Sequence, residues 1–147
     1  MAQRLVLDTN VWLDWLVFND PGIWSLRSAV EQGAATILTD EACLDELTRV
    51  LSYPLRRQPL VPAAQAVCMA TCRAHARVVE PGPAASRLPA CADPDDQKFL
   101  ELADRADAYC LLSRDRALLA LARKCAAKFH IMTPERFFAL NGLESPN

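Results

Sequence analysis

The sequence predicts an α/β fold of three layers, in which a central parallel sheet of about five strands lies between two layers of helices. Short apolar runs alternate along the chain with longer segments whose apolar residues recur at helical spacing. Strands that alternate with helices in this way form a doubly wound parallel sheet. Acidic residues also stand beside several strand-to-helix junctions, and the carboxyl ends of parallel strands meet at one edge of a sheet. We expect one domain spanning residues 1–147.

Five short segments, most of them apolar, are the predicted strands. The first is followed directly by Asp8, Thr9 and Asn10. A continuous apolar run of this length is typical of a strand buried on both faces. The predicted strands are residues 5–7, 35–38, 77–80, 108–112 and 130–132.

Capping residues set the predicted ends of the helices. Thr39 or Asp40 can cap the third helix, and Gly33 is a C-cap candidate for the second. Asp93 and Pro94 are a strong helix start, with the proline at the first helical position. The predicted helices are residues 11–18, 23–32, a helix that begins after the cap at 39 or 40 and runs through 51, residues 63–76, a segment from 93 to 106, a segment around 118–122, and one from 133 to about 142.

Charge and hydropathy narrow the class of protein. The net charge of −2 argues against a strongly basic nucleic-acid-binding protein. If the four candidate acids of the site are set aside, 14 acidic residues remain against 16 basic ones, which is a net charge of +2. A remaining surface with this charge is compatible with binding of a phosphate-bearing polymer. No apolar run approaches the roughly 18–20 residues of a membrane span, and the N-terminus lacks a charged leader followed by an apolar segment. We therefore expect a cytoplasmic protein with no membrane partner.

The six cysteines lie within apolar helical or strand patterns, so we expect them to be reduced and buried. Cys68, Cys72 and His75 could share one helix face as a partial zinc site. No fourth ligand is evident in the sequence and the spacing is not that of a known zinc finger. Core packing is the favoured interpretation.

Asp8, Glu46, Asp96 and Asp115 are the candidate site residues. Some of them have a plain local explanation, since Asp8 could simply cap a helix and Asp115 could simply favour a turn. Glu46 is harder to explain in that way, because its leucine neighbours place it near the buried side of its helix. Carboxylates that converge repel each other, and a divalent cation is the usual remedy. The sequence therefore predicts a metal-dependent phosphoryl-transfer site.

Five blocks of the sequence, in this order, resemble PIN-domain proteins over nearly the whole chain. Within that family the resemblance is to the toxin components of toxin–antitoxin systems, the VapC-like ribonucleases. No single tripeptide is specific, but the order of the blocks is. The blocks are VLDTNV at 6–11, DELTRVL at 45–51, DPDDQKFLELA at 93–103, LSRDRALL at 112–119 and IMTPERF at 131–137.

The resemblance implies a Mg²⁺- or Mn²⁺-dependent endoribonuclease whose cleavage leaves a 5′-phosphate. It assigns metal binding and catalysis to Asp8, Glu46, Asp96 and Asp115. Ser113 stands where the family usually has threonine, which keeps the hydroxyl. The residues expected to support the site are Thr9, Asn10, Ser113 and Asp93.

The same resemblance implies three partners: an RNA substrate, a cognate antitoxin that inserts a basic side chain among the carboxylates, and a second copy in a homodimer. Trp12, Trp15, Phe18 and Trp24 lie close together in the sequence, and exposed aromatic residues often anchor interfaces. For Trp15 and Phe18 we expect a place in the core instead. The candidates for holding the RNA backbone are Arg56, Arg57 and Arg114, the last at a position where the family commonly has a small residue.

Two alternative functions stay open at this point. Asp8-Thr9-Asn10-Val11 resembles the nucleophile loop of haloacid-dehalogenase-like phosphatases. That chemistry needs a second acid where Asn10 stands, and a lysine near the site that no block clearly supplies. The other alternative is a PIN-like fold that serves only as a binding module. A burst of covalent phosphoenzyme would indicate the phosphatase, and RNA cleavage without one the nuclease.

Overall fold

The computed structural model of the protein describes residues 2–55, 58–83 and 87–141. Its strands are β1 (Gln3–Leu7), β2 (Ala35–Thr39), β3 (Ala76–Val78), β4 (Cys110–Leu112) and β5 (His130–Met132). They form one parallel sheet in the order β3-β2-β1-β4-β5. The predicted five-stranded parallel sheet is confirmed, and β5 has the predicted bounds.

The helices flank the sheet on both faces. They are α1 (Thr9–Leu16), α2 (Trp24–Glu31), α3 (Glu41–Leu51), α4 (Pro62–His75), α5 (Gln97–Arg105), α6 (Arg116–Leu119), α7 (Ala122–Cys125) and α8 (Pro134–Leu140). Single 3₁₀ turns at Pro21–Ile23 and Pro94–Asp96 precede α2 and α5. The predicted three-layer α/β/α fold is confirmed.

The central strand β1 separates two apolar cores. Leu5 and Leu7 lie in one core with side chains of α1, α2, α3, α4 and α8, whereas Val6 lies in the other with side chains of α5, α6 and α7. Leu5 pairs with Ile37 of β2 and with Cys110 of β4. Both faces of β1 are therefore buried, as its continuous apolar run predicts.

Aspartates placed one to three residues after strands start three of the helices. The carboxylate of Asp8 accepts a hydrogen bond from the backbone N–H of Val11 at 2.9 Å and so caps α1. Asp40 caps α3 and Asp115 caps α6 in the same manner. A cap of this kind stabilises a helix by about 1 kcal/mol. Helix capping alone therefore explains why an aspartate stands at each of these three strand-to-helix junctions.

Some helix bounds differ from the predicted ones. α1 begins at Thr9 and not at residue 11, because Asp8 already provides the cap. The predicted helix around residues 118–122 is divided into α6 and α7. Its buried residues Leu118 and Cys125 keep a helical spacing across the break, so periodicity could not reveal it. Gly33 follows the C-cap of α2 with a positive φ of 79°, which confirms the predicted helix end.

The aromatic residues near the N-terminus lie mainly in the core. Trp12 and Trp15 are stacked with their ring centroids 5.2 Å apart, and they are only 3% and 5% exposed. The prediction that Trp12 is an exposed interface residue is therefore wrong, and the core position of Trp15 is confirmed. Phe18 packs partly buried against the same core, whereas Trp24 is 40% exposed.

All six cysteines are buried and free, as predicted. Burial raises the pKa of the thiols of Cys72 and Cys110 to about 12, so both are neutral at pH 7. Within the part of the chain that the structure describes, no helix has the length and apolar character needed to cross a bilayer.

Candidate active site

The carboxyl edge of the sheet borders a hollow of about 220 Å³ whose wall is mainly acidic. β1 and β4 are paired neighbours, so the residues that follow them meet at this edge. All four candidate acids line the hollow, and Asp95 adds a carboxylate that the sequence analysis did not assign to the site. The lining residues are Asp8, Thr9, Asn10, Glu46, Val50, Asp93, Asp95, Asp96 and Asp115.

Asp8 lies at the end of β1 and is 3% exposed. Its Oδ1 accepts a hydrogen bond from the backbone N–H of Val11, and its Oδ2 accepts one from the Ser113 hydroxyl. Burial raises the pKa of Asp8 to about 6; the two hydrogen bonds oppose that effect, and the charge of Asp115 adds to it. Asp8 is therefore an anion at pH 7 in a place that water barely reaches.

Ser113 connects two of the acids beneath the hollow. Its hydroxyl donates to Asp8 and accepts a hydrogen bond from the backbone N–H of Asp115 at 2.9 Å. The Asp115 carboxylate in turn accepts from the backbone N–H groups of Ala117 and Leu118 at 2.8 and 3.3 Å. Because Ser113 is fully buried, these bonds fix the two carboxylates relative to one another.

Asp96 combines a raised pKa with a buried carboxylate oxygen that lacks a partner in the part of the chain that the structure describes. Its Oδ2 atom is buried and has no hydrogen-bond partner among the described residues. Its pKa is raised to about 6, first by burial and then by the negative charges of Asp115, Asp93, Asp8 and Glu46. A buried acceptor without a partner costs about 1–3 kcal/mol, and more when it is charged. Within the described ranges, this oxygen therefore lacks the hydrogen bond that a buried acceptor normally has.

Glu46 projects into the hollow from the middle of α3, with 12% of its side chain exposed. Its Oε2 accepts a hydrogen bond from the Thr9 hydroxyl, and its Oε1 lies 2.6 Å from the ammonium group of Lys98. The predicted position near the buried side of α3 is confirmed. The carboxylate is thus held by one donor from α1 and by one from α5.

Besides Asp95, Lys98 is a residue near the site that the sequence did not reveal. It occupies the first turn of α5, where the helix dipole favours acidic residues and disfavours a lysine. That misplacement is a signal that could have identified it. The lysine that the phosphatase alternative required is therefore present, but it is paired with Glu46, and Asn10 still stands where that chemistry needs an acid.

The donor set of the hollow fits a hard divalent cation. It consists of carboxylate and hydroxyl oxygens, which suit Mg²⁺ and Mn²⁺, and it contains the unpartnered oxygen of Asp96. Yet in residues 2–55, 58–83 and 87–141 no group of three or more histidine, cysteine or acidic side chains is arranged to hold a metal ion. We attribute this in the hollow to Ser113, Thr9 and Lys98, which already hold Asp8 and Glu46. The zinc alternative gains no support either.

Arg114, one of the three predicted RNA contacts, is surrounded by acidic side chains on the far side of Asp115. Its guanidinium pairs with Asp14 and Glu135 and lies 3.7 Å from Asp20. Contact with RNA stays a prediction, and RNA would have to replace these partners. The other two candidates, which lie outside the described residues, are Arg56 and Arg57.

A five-stranded parallel sheet between helices, with acids along its carboxyl edge, is a PIN-like α/β/α arrangement. The chain belongs to the PIN domain family, whose sequence profile matches residues 4–117, a span that contains all four candidate acids. A comparison with curated proteins finds no match. The PIN domain is generally a nuclease fold. The resemblance carried by the five sequence blocks is thus confirmed at the level of the family, and the fifth block lies beyond the matched span.

Proposed function

We propose that this PIN-domain protein is a Mg²⁺- or Mn²⁺-dependent endoribonuclease. The observation that carries the proposal is the buried, unpartnered Oδ2 of Asp96, a residue that lines a hollow together with further carboxylates at the carboxyl edge of the sheet. The raised pKa of Asp8 and of Asp96 supports it, because a divalent cation would relieve the desolvation and repulsion that cause both shifts.

In this proposal Asp8, Glu46, Asp96 and Asp115 hold the cation. When bound, such a cation activates a water for in-line attack on the phosphodiester and offsets charge on the phosphoryl oxygens. Ser113 links the Asp8 carboxylate to the backbone N–H of Asp115 through its two hydrogen bonds and so helps to position both residues. Asn10 is exposed at the rim of the hollow, where its amide can donate to a phosphate of the RNA.

The test is cleavage of single-stranded RNA by the full chain. Hydrolysis should require Mg²⁺ or Mn²⁺, stop with EDTA, proceed poorly with Ca²⁺, and leave a 5′-phosphate. Asp96→Asn should lower the rate by more than about 100-fold, because loss of even an outer-shell partner of a metal typically costs 10–100-fold. Equal rates in EDTA and in Mg²⁺ would disprove metal dependence. Metal binding without cleavage of any RNA would leave only the binding-module alternative.

We further propose that the protein is the toxin of a toxin–antitoxin pair and forms a homodimer. The support is the resemblance of the five sequence blocks to toxin components, together with a strongly acidic hollow that complements an inserted basic side chain. Light scattering at micromolar concentration measures the mass directly, and a monomer mass would discard the dimer. A small adjacent reading frame for a DNA-binding antitoxin would support the toxin role.

A further inference from the structure

Lys98 makes three contacts that place its charge at the edge of the acidic hollow. Its ammonium group lies 2.6 Å from Oε1 of Glu46 and donates a hydrogen bond to the backbone carbonyl of Asp95 at 2.5 Å. The same group stands 5.5 Å from the centre of the Phe99 ring. These contacts tie the middle of α3 to the segment that carries Asp96.

Local structure does not account for a lysine at this position. A cation in the first turn of α5 opposes the helix dipole. Among the residues that the structure describes, no other lysine or arginine lies within ion-pair distance of Asp8, Glu46, Asp96 or Asp115. Only 22% of the Lys98 side chain is exposed, so its charge acts on the hollow with little screening.

The Lys98 ammonium lies on a carboxylate that the proposed divalent cation would use. Oε2 of Glu46 is already bound by Thr9, and Oε1 is bound by Lys98. An ammonium and a divalent cation on the same carboxylate oxygen would repel each other strongly, because both are positive and both are partly shielded from water. This repulsion disfavours the binding of both cations to Glu46 at the same time.

We propose that Lys98 is a built-in counter-ion that exchanges with the divalent cation at Glu46. This proposal rests on the proposed function, because it requires that the acidic hollow binds a divalent cation. Without metal, Lys98 neutralises part of the carboxylate charge and stabilises the empty site. When metal binds, the ammonium leaves Oε1 for the neighbouring hollow of about 250 Å³, which Lys98 already lines together with Arg105 and Gly82. Lys98 therefore weakens metal binding and acts as a positioning residue for Glu46.

The exchange is tested by Mn²⁺ titration of the full chain by calorimetry, with the thermal melting temperature measured at each endpoint. Lys98→Met should bind Mn²⁺ more tightly than the wild type, by roughly 3- to 20-fold, because a repelling charge is removed. It should also melt at a lower temperature without metal and at nearly the wild-type temperature with saturating Mn²⁺. A purely structural lysine would lower both melting temperatures equally.

Two variants serve as controls. Lys98→Arg keeps the charge and should bind Mn²⁺ like the wild type. Lys128→Met removes a lysine whose partner is Asp104, away from the hollow, and should leave the affinity unchanged. Acetylation of Lys98 in the wild type, followed by mass spectrometry, should be faster with Mn²⁺ than with EDTA, which tests the release without any substitution.

The outcomes separate this proposal from the proposed function. If the wild type binds Mn²⁺, Asp96→Asn does not, and Lys98→Met binds no more tightly than the wild type, the exchange is disproved while the metal site stands. If neither the wild type nor Lys98→Met binds Mn²⁺, the metal site is disproved and the exchange fails with it. Binding by Lys98→Met alone, or tighter binding by it, supports the exchange.

Discussion

Asp8 has two roles that depend on the same two oxygens. As the N-cap of α1 it accepts a backbone hydrogen bond, and as a wall of the hollow it presents a negative charge in a place with little water. The local explanation and the functional one are therefore compatible, since a capping aspartate at the end of β1 is already at the carboxyl edge of the sheet. The raised pKa distinguishes it from a cap that serves the helix alone.

This distinction predicts opposite effects for the same substitution at two N-caps. Asp8→Asn keeps a good capping residue and removes a desolvated charge, so without metal the free energy of unfolding should stay the same or rise by up to about 2 kcal/mol. Asp40→Asn breaks the ion pair with Arg105, which lies 2.7 Å away and mostly buried, and should lower it by about 1–3 kcal/mol. Urea unfolding in EDTA measures both.

Addition of Mn²⁺ is a second test that compares the Asp8 and Asp40 variants. It should raise the melting temperature of the wild type and of Asp40→Asn by mass action on the folded state, and it should raise that of Asp8→Asn only slightly. Asp40 is a suitable control because it caps α3 without lining the acidic hollow. Two aspartate caps that responded alike to substitution and to Mn²⁺ would show that Asp8 is only a cap.

The shifted carboxyl groups also predict how stability depends on pH when EDTA is present. Asp8 and Asp96 both have a folded pKa of about 6, above the ordinary value of 3.8, so the folded state binds more protons than the unfolded state between those values. Stability should therefore rise as the pH falls from 7 to about 4.5, with an increase of several degrees in melting temperature. Asp40, whose pKa is lowered, opposes this trend only at lower pH.

The double variant Asp8→Asn/Asp96→Asn is the control for the pH dependence. Asparagine does not titrate, so the melting temperature of this variant should be nearly constant over the same range of pH. Saturating Mn²⁺ should also remove the dependence in the wild type, because a bound cation would keep both groups ionised. A wild-type melting temperature that fell steadily from pH 7 to 5 in EDTA would contradict the assignment.

The secondary-structure elements show what the sequence can predict: it predicts the strands, but not the side-chain contacts between helices at the site. The strands other than β3 were readable because they contain short apolar runs that a polar residue follows. The parallel pairing of β1 and β4 then placed Asp8 and Asp115 at one edge. Glu46 was predictable from the leucines around it on α3. Each of these signals can be read from a short stretch of sequence. The parallel order of the strands then brings the residues at the strand ends close together.

The features that were missed depend on contacts between distant parts of the chain. Lys98 meets Glu46 across 52 positions of sequence, and Arg114 meets Asp14 across 100. Trp12 was expected at an interface, but the surroundings of α1 bury it. Side-chain partners of this kind follow from the packing of α1, α3 and α5, which no spacing rule specifies. The position of Lys98 against the dipole of α5 was the one local clue.

At the scale of the whole molecule, a net charge of −2 means that RNA must be attracted locally. If the protein cleaves RNA as proposed, the acidic hollow would repel phosphate until a cation fills it, and basic residues elsewhere would have to hold the backbone. Arg114 is engaged by acidic side chains, and the other two predicted RNA contacts are Arg56 and Arg57. The affinity for RNA should therefore depend on salt and on those two charges.

The last prediction tests whether Arg56 and Arg57 hold the RNA backbone. RNA binding is measured in a variant that is expected not to cleave. In the Asp96→Asn background, Arg56→Glu/Arg57→Glu should weaken binding of single-stranded RNA by at least about tenfold near 0.1 M salt. The slope of log affinity against log salt should become shallower by about 0.7 for each phosphate that the variant no longer neutralises. Arg123→Glu/Lys124→Glu makes the same change of charge on exposed residues of α7 and should leave that slope unaltered. Equal slopes for both double variants would mean that RNA responds only to overall charge, and the proposed path would be discarded.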